Sequence, residues 1–223
     1  MLLSLRARTA IQRLCREAEI KPKRTAVNIP APHHNTRPRT LRCMTPGEDL
    51  RTALPPPLGD EDHLRGDPDR PLIVFYADFT CPRCALAHDR LVDAGARVAF
   101  RHLALKAKHP RAIAVALAAE AAGRQAAFWP FADALYADQG HLDDPHLWQR
   151  ARDLELDLAR FDEDRRGDEA ARRVREHTRA ALAAGATTTP TLFAGESALS
   201  GVPDAEWLAG LGYHDGVRIP KPR

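Results

Sequence analysis

The sequence predicts an α/β protein in which an all-helical subdomain is inserted between two groups of strands. First, residues 71–79 form a continuous apolar run, "PLIVFYADF", which is short enough for a strand buried on both faces. Second, residues 109–185 are rich in alanine and have helical periodicity throughout. Third, strand character returns at residues 191–200. A layer of strands and helices that carries a helical insertion accounts for this order.

The first half of the predicted domain runs strand, helix, strand. After the strand at 71–79, "CPRCALAHDRLVDAG" predicts a helix, because Pro82 suits a first turn and Gly95 suits a helix end. The segment "RVAFRHL" (97–103) alternates apolar side chains on one face, which predicts a second strand. If these strands are parallel, their connection is right-handed.

The middle of the chain is predicted to be helical. Within residues 145–161 the apolar side chains recur at spacings of four and three, which predicts one continuous helix. The predicted helices cover residues 111–123, 126–138, 145–161 and 169–185.

The C-terminal part predicts a hairpin and a closing helix. Strand residues from Thr191 to Phe193 precede a turn at Gly195, and residues 197–200 can pair back. "PDAEWLAGLG" then predicts a helix over 203–212 with Pro203 at its first position.

Charge divides the chain into two parts. Of the 223 residues, 44% are hydrophobic and 28% are charged, as in globular proteins. Residues 1–43 hold ten Lys or Arg and two Glu, a formal charge of +8; the whole chain carries +3, which leaves −5 for the remainder. The predicted organisation is a disordered basic leader (1–43), a linker (44–57), a domain (58–212) with its helical insertion at about 106–186, and a tail (213–223).

The leader also bears on the predicted compartment. A start codon assigned too far upstream would produce such a leader, with Met44 as the true first residue. Neither the leader nor the segment that begins at Met44 has the apolar core of a secretory signal, so we expect a cytoplasmic protein. No run approaches the roughly 20 apolar residues of a membrane span, so we expect no membrane partner. The acidic domain argues against a nucleic-acid partner.

Cys81 and Cys84 are the candidate reactive residues. The other two cysteines lie in the leader, so the chain is not a disulfide-stapled scaffold. A cysteine at a helix N-terminus has a stabilised thiolate, and the Arg83 cation should lower the pKa of Cys81 further. Such a cysteine attacks a disulfide, and a second cysteine one turn later resolves the mixed disulfide.

Two other interpretations of the cysteine pair stay open. The pair could be buried and inert, or Cys81, Cys84 and His88 could bind zinc from one helix face. Structural zinc needs four ligands, and no second C-x-x-C or H-x-x-H motif accompanies these residues, so redox chemistry is favoured. The residues alone also leave open whether Pro190 follows a cis or a trans peptide bond.

Five features in order carry a family resemblance. An apolar strand precedes "DFTCPRC", "RHLALKAKHPRA", "ALAAEAAGRQAAFW" and "RVREHTRAALAAGATTTPTLFAG". From about residue 58 to 212 the chain resembles the DsbA-like thioredoxin-fold family of thiol–disulfide oxidoreductases. The resemblance implies an α/β thioredoxin fold with an inserted all-helical subdomain. It implies that Cys81 is the nucleophile and Cys84 the resolving thiol. It also implies a cis bond at Thr189–Pro190, where the Thr189 backbone binds a substrate chain.

The chain departs from the family pattern around the cysteines. Phe75 stands where many relatives have a buried glutamate that relays the resolving thiol's proton. We expect slower exchange unless water or Asp78 substitutes for it. Thr188 replaces a common glycine, and Arg83 replaces the frequent aromatic residue or histidine, so the reduction potential does not transfer. Pro82, Arg83 and Asp78 are therefore the candidates for tuning the pair.

The resulting hypothesis is a thiol–disulfide oxidoreductase that acts on protein thiols and disulfides through a mixed disulfide. It requires no metal and no organic cofactor, and glutathione or a reductase are further candidate partners. One alternative is a binding module of the same fold that clamps a peptide without turnover. Another is a glutathione-dependent isomerase or transferase. An intact C-x-x-C argues against both, because those roles need at most one sulfur.

Overall fold

The computed structural model describes residues 54–105 and 109–213. The predicted leader, the Met44 start, the linker up to residue 53 and the tail from residue 214 lie outside the described residues. The strands are β1 (His63–Arg65), β2 (Leu72–Ala77), β3 (Arg97–His102), β4 (Thr191–Ala194) and β5 (Ser197–Ser200). The helices are α1 (Pro82–Asp93), α2 (Ala112–Gly123), α3 (Phe128–Ala137), α4 (Asp144–Asp153), α5 (Leu158–Arg166), α6 (Asp168–Ala183) and α7 (Ala205–Gly210).

The strands form one mixed sheet in the order β1-β3-β2-β4-β5. β2 and β3 are parallel and connected by α1, which confirms the predicted strand–helix–strand unit. The remaining neighbours pair antiparallel, and β4 and β5 form the predicted hairpin. β2 lies at the centre of the sheet because both of its faces are apolar. Phe75 belongs to one hydrophobic cluster and Tyr76 to the cluster on the other side.

The helical insertion lies between β3 and β4 and comprises α2 to α6. Helix α2 is its centre and contacts α3, α5 and α6. The alanines of α2 explain its central position, because small side chains allow neighbouring helices to approach closely. The buried alanines include Ala118, Ala119, Ala121 and Ala122. Within residues 54–105 and 109–213, no helix has both the length and the apolar character required to cross a bilayer.

The structure corrects two predicted elements and adds one strand. The single helix predicted at 145–161 is two helices, because Glu155 adopts φ 55 and the Asp157 carboxylate caps α5 by accepting from two backbone N–H groups. The closing helix begins after Asp204, whose side chain accepts from the backbone N–H of Trp207, so Pro203 precedes the cap. Strand β1 was not predicted, because three residues, His-Leu-Arg, show no apolar alternation.

A buried charged cluster joins β1, β3, α2 and α6. The Glu120 carboxylate lies 2.7 Å from His102 Nε2, 3.1 Å from His63 Nε2 and 3.4 Å from Arg173 Nε. Burial alone would raise the pKa of Glu120, but the hydrogen bonds with His102 and His63 outweigh it and hold the pKa below its usual range. His177 accepts a hydrogen bond from the backbone N–H of His102 at 3.3 Å. Burial lowers the pKa of His177 to about 3, and His102 contributes to this shift.

The protein should therefore lose stability as the pH falls below about 6.5, the pKa of an unfolded histidine. Between the folded pKa of about 3 and that value, the unfolded chain binds more protons at His177 than the folded chain does. His177→Gln keeps an acceptor for the His102 N–H and removes this proton uptake. Its free energy of unfolding should fall less steeply from about pH 7 to about pH 5.

Urea unfolding at a series of pH values measures this slope. The exposed residue His141, changed to Gln, is the matched control and should keep the wild-type slope. Equal slopes for wild type and His177→Gln would contradict this assignment of the acid sensitivity.

Candidate active site

The cysteine pair lies at the turn from β2 into α1. Cys81 is the N-cap of α1, and Pro82, which lacks an N–H, occupies the first turn. The turn is tight: the Cys81 N–H donates to the Asp78 carbonyl at 3.1 Å, and the Cys84 N–H donates to the Cys81 carbonyl at 2.9 Å. The structure therefore brings both cysteines to one point, with Cys81 at the start of the helix and Cys84 one turn inside it.

Cys81 has the properties of an activated thiol. Its pKa is lowered to about 5, and the largest cause is a hydrogen bond from the Cys84 thiol. Burial opposes the shift, whereas the Thr189 side chain and the backbone N–H groups of Cys84 and Arg83 support it. The sequence pointed to the Arg83 cation; the structure adds the backbone N–H of Arg83 as a cause, and the Arg83 guanidinium lies against Gly201.

Cys84 is the opposite kind of thiol. It is fully buried, and its sulfur accepts the backbone N–H of Asp78 at 3.5 Å. Burial raises its pKa far above the usual range, and the negative charge of Cys81 raises it further. Near neutral pH the pair therefore holds one thiolate and one thiol, with the proton on the inner sulfur.

The loop before β4 forms the other side of the site. The Thr189–Pro190 peptide bond is cis. The Thr189 carbonyl lies 3.6 Å from Cys81 Sγ, and the Pro190 carbonyl accepts the Gly201 N–H at 2.9 Å. Thr189 thus lies beside Cys81 and is joined to Pro190 by a cis bond, as the family resemblance implies.

Asp78 is buried beneath the cysteines. Its Oδ1 accepts from the backbone N–H and the hydroxyl of Thr80 at 2.8 Å and 2.7 Å. Burial raises its pKa, against the effect of these two hydrogen bonds. Phe75, at the position of the family's glutamate, is fully buried and packs edge-on against Phe100.

Two residues of the helical insertion contact the site and were not predicted. Gln139, just after α3, donates from Nε2 to the carbonyls of Phe79 and Cys81 at 2.7 Å and 3.1 Å. The Tyr136 ring packs against Phe79, with centroids 5.0 Å apart. Neither residue belongs to a local motif, so only their place in the insertion pointed to them. His88, the candidate third zinc ligand, is directed to Asp133, whose Oδ1 lies 2.8 Å from His88 Nε2.

Comparison with known sequences identifies the family. The sequence model of the DSBA-like thioredoxin domain matches residues 93–211, and the chain belongs to this family. The match begins after the cysteine pair, so Cys81 and Cys84 are assigned from the sequence pattern and the structure.

Solved structures agree on the fold. A thioredoxin-like oxidoreductase from Silicibacter pomeroyi DSS-3 is similar with a TM-score of 0.62 and 22% identity, over 69% of this chain and 91% of that one. Pseudomonas aeruginosa DsbA2 is similar with a TM-score of 0.54 and 29% identity, over 67% of this chain and 92% of that one. The predicted thioredoxin fold with a helical insertion is confirmed.

Curated relatives include longer proteins. Na(+)/H(+) antiporter NhaA 3 of Salinispora tropica is 42% identical over 154 residues, which cover 65% of this chain and 23% of the antiporter. Na(+)/H(+) antiporter NhaA of Herminiimonas arsenicoxydans is 38% identical over 171 residues, which cover 73% of this chain and 27% of the antiporter. The chain therefore spans about a quarter of the length of these relatives.

The asymmetry of the two thiols predicts the pH dependence of alkylation. The rate of Cys81 alkylation by iodoacetamide should rise with pH with a midpoint at about 5, because the thiolate is the reactive form. Cys84→Ala removes the largest cause of the shift and should move the midpoint upward. Arg83→Ala keeps the backbone N–H and should move it much less.

Mass spectrometry of the alkylated Cys81 peptide measures the rates at each pH. A wild-type midpoint near about 8.5, the value of an unperturbed cysteine, would contradict the described hydrogen bonding.

Proposed function

We propose that this protein is a thiol–disulfide oxidoreductase that exchanges a Cys81–Cys84 dithiol or disulfide with the cysteines of other proteins. The observation that carries the proposal is the division of labour between the two sulfurs: Cys81 has a pKa of about 5, whereas Cys84 is fully buried and held protonated. Exchange needs a stable attacking thiolate and a second thiol within reach to release the substrate.

The exchange proceeds in two balanced steps. The Cys81 thiolate attacks one sulfur of a substrate disulfide, a mixed disulfide forms, and the other substrate sulfur leaves as a thiolate. Cys84 then loses its proton and attacks Cys81 Sγ. The bond between Cys81 and the substrate breaks, and the second substrate sulfur leaves as a thiolate. The substrate is reduced to a dithiol, and the pair is oxidised to a disulfide; with an oxidised pair, the same steps run in reverse.

The surroundings of Cys81 support a polypeptide substrate. The Thr189 backbone lies beside the nucleophile and immediately precedes Pro190, where a substrate chain can add extended backbone hydrogen bonds. Gln139 holds the carbonyls of Phe79 and Cys81 from the other side, which keeps the turn rigid while the sulfur reacts. Glutathione or a reductase would then regenerate the pair.

The two alternative functions do not require both sulfurs. A peptide-binding module needs neither a stabilised thiolate nor a second thiol, and a glutathione-dependent isomerase or transferase has no task for Cys84. Sodium/proton exchange is outside the proposal, because the similarity covers only about a quarter of the antiporters. The cytoplasmic location stays a prediction, and the direction of electron flow depends on the reduction potential.

Cys84→Ser should trap the mixed disulfide. A peptide with one internal disulfide is incubated with the full chain in a Cys15→Ser, Cys43→Ser background, so that only the active-site sulfurs react. The Cys84→Ser variant should retain the peptide covalently on Cys81, because no thiol remains to resolve the bond. Wild type should release reduced peptide. Non-reducing electrophoresis and mass spectrometry measure the adduct.

Two controls make the result specific. Cys81→Ser should form no adduct, and dithiothreitol should remove the one formed by Cys84→Ser. Binding of the peptide by all variants without a covalent adduct would favour the binding module and refute the proposed function.

A further inference from the structure

Two buried polar atoms near the resolving cysteine have no hydrogen-bond partner among the described residues. They are the second carboxylate oxygen of Asp78, Oδ2, and the hydroxyl of Tyr136. Asp78 is 3% exposed and Tyr136 is 6% exposed. Unsatisfied buried groups are rare in native proteins because desolvation is costly, and a catalytic role is one reason to keep them. Both residues are therefore candidates for a task at the cysteine pair.

Asp78 contacts Cys84, and Tyr136 contacts residues on either side of the cysteine pair. The backbone N–H of Asp78 donates to Cys84 Sγ at 3.5 Å, so the backbone that carries the Asp78 side chain lies against this sulfur. The Tyr136 ring packs on Phe79 and on His88, one helical turn after Cys84, with a centroid distance to His88 of 4.7 Å. Burial raises the pKa of Tyr136 well above its usual value, and charge on Cys84, Asp78 and Cys81 raises it further.

The resolution step requires such groups. The Cys84 thiol is fully buried and must lose its proton before it can attack Cys81. A buried thiolate also needs a hydrogen-bond donor, because it has left water. Phe75, where relatives carry a glutamate, is packed against Phe100 and supplies neither an acceptor nor a donor.

We propose that Asp78 accepts the proton of Cys84 during resolution and that the Tyr136 hydroxyl then donates a hydrogen bond to the Cys84 thiolate. The transfer from Cys84 Sγ to Asp78 Oδ2 is direct or passes through one water. The thiolate attacks Cys81 Sγ, the substrate sulfur leaves as a thiolate, and the Asp78 proton finally reaches that sulfur or solvent. This inference rests on the proposed function and assigns one of its steps.

The groups around Asp78 determine how the resolution rate depends on pH. Cys81 and Cys84 approach it from α1, Tyr136 from α3, Thr80 from its own loop and His109 from the segment before α2. Burial raises the pKa of Asp78, while Thr80 and His109 oppose the rise. Because a proton acceptor must be ionised, the resolution rate should fall as the pH drops through this raised pKa.

The resolution step can be followed alone. Cys81 is converted to its thionitrobenzoate mixed disulfide at acidic pH, in the Cys15→Ser, Cys43→Ser background, and the pH is then raised rapidly. Release of coloured thionitrobenzoate reports attack by Cys84. Asp78→Asn, which keeps an oxygen for Thr80, should slow release by about 100-fold, within the range for general base catalysis. Tyr136→Phe should slow it less, and the exposed α1 residue Asp89, changed to Asn, should leave it unchanged.

The pH profile separates catalysis from structure. Wild-type release should show an inflection at a pH above the ordinary pKa of an aspartate, and Asp78→Asn should lose it, whereas a merely structural role would slow release equally at every pH. Equal release by Asp78→Asn and wild type at all pH values would overturn the inference and leave the proposed function standing. Failure of wild type to release thionitrobenzoate at any pH would overturn the proposed function itself. If Asp78→Asn does not fold, a wild-type profile without the inflection is the refuting result.

Discussion

The stabilisation of the Cys81 thiolate by the Cys84 thiol is the interaction on which the site depends. It exists because the chain turns directly from β2 into α1, so that one cysteine begins the helix and the other lies one turn inside it. The same turn leaves Cys81 6% exposed at the N-terminus of α1 and Cys84 with no exposed surface one turn inside it, and it divides the two sulfurs into a thiolate and a thiol. The remaining elements hold this turn in place.

Each side of the turn is held by a different part of the fold. β4 pairs with β2, which brings the Thr189–Pro190 loop against Cys81. The helical insertion supplies Gln139 to the backbone of the turn and Tyr136 to its interior. The insertion is therefore a structural part of the site, because without it the Phe79 carbonyl would lose the Gln139 donor and the Cys81 carbonyl would lose one of its donors. Its alanine-rich centre, α2, allows this close approach.

The sequence predicted the parts of the fold that depend on local pattern. β2, α1, β3 and the final hairpin follow from apolar runs, a first-turn proline and a glycine turn. The break between α4 and α5 was hidden because Leu147 and Ala151 on α4 and Phe161 on α5 all face the same core, so the apolar spacing continues across it. β1 is recognisable only through its pairing with β3.

The site residues that belong to local motifs were also predictable from the sequence. Cys81, Cys84, Thr189 and Pro190 come from compact motifs, and the structure brings them together. Gln139 and Tyr136 act across long sequence separations, so no spacing rule could find them. The direction of the Arg83 side chain cannot be deduced from sequence, and in the structure its guanidinium lies against Gly201.

The most direct test of the account is the reduction potential of the Cys81–Cys84 pair. The protein, in the Cys15→Ser, Cys43→Ser background, is equilibrated with glutathione redox buffers, quenched with acid and alkylated, and the free thiols are counted by mass. A stabilised Cys81 thiolate favours the reduced form, so the account predicts one reversible two-electron transition at a potential between about −270 and about −120 mV. A pair that forms no reversible disulfide at any ratio of reduced to oxidised glutathione would contradict the account.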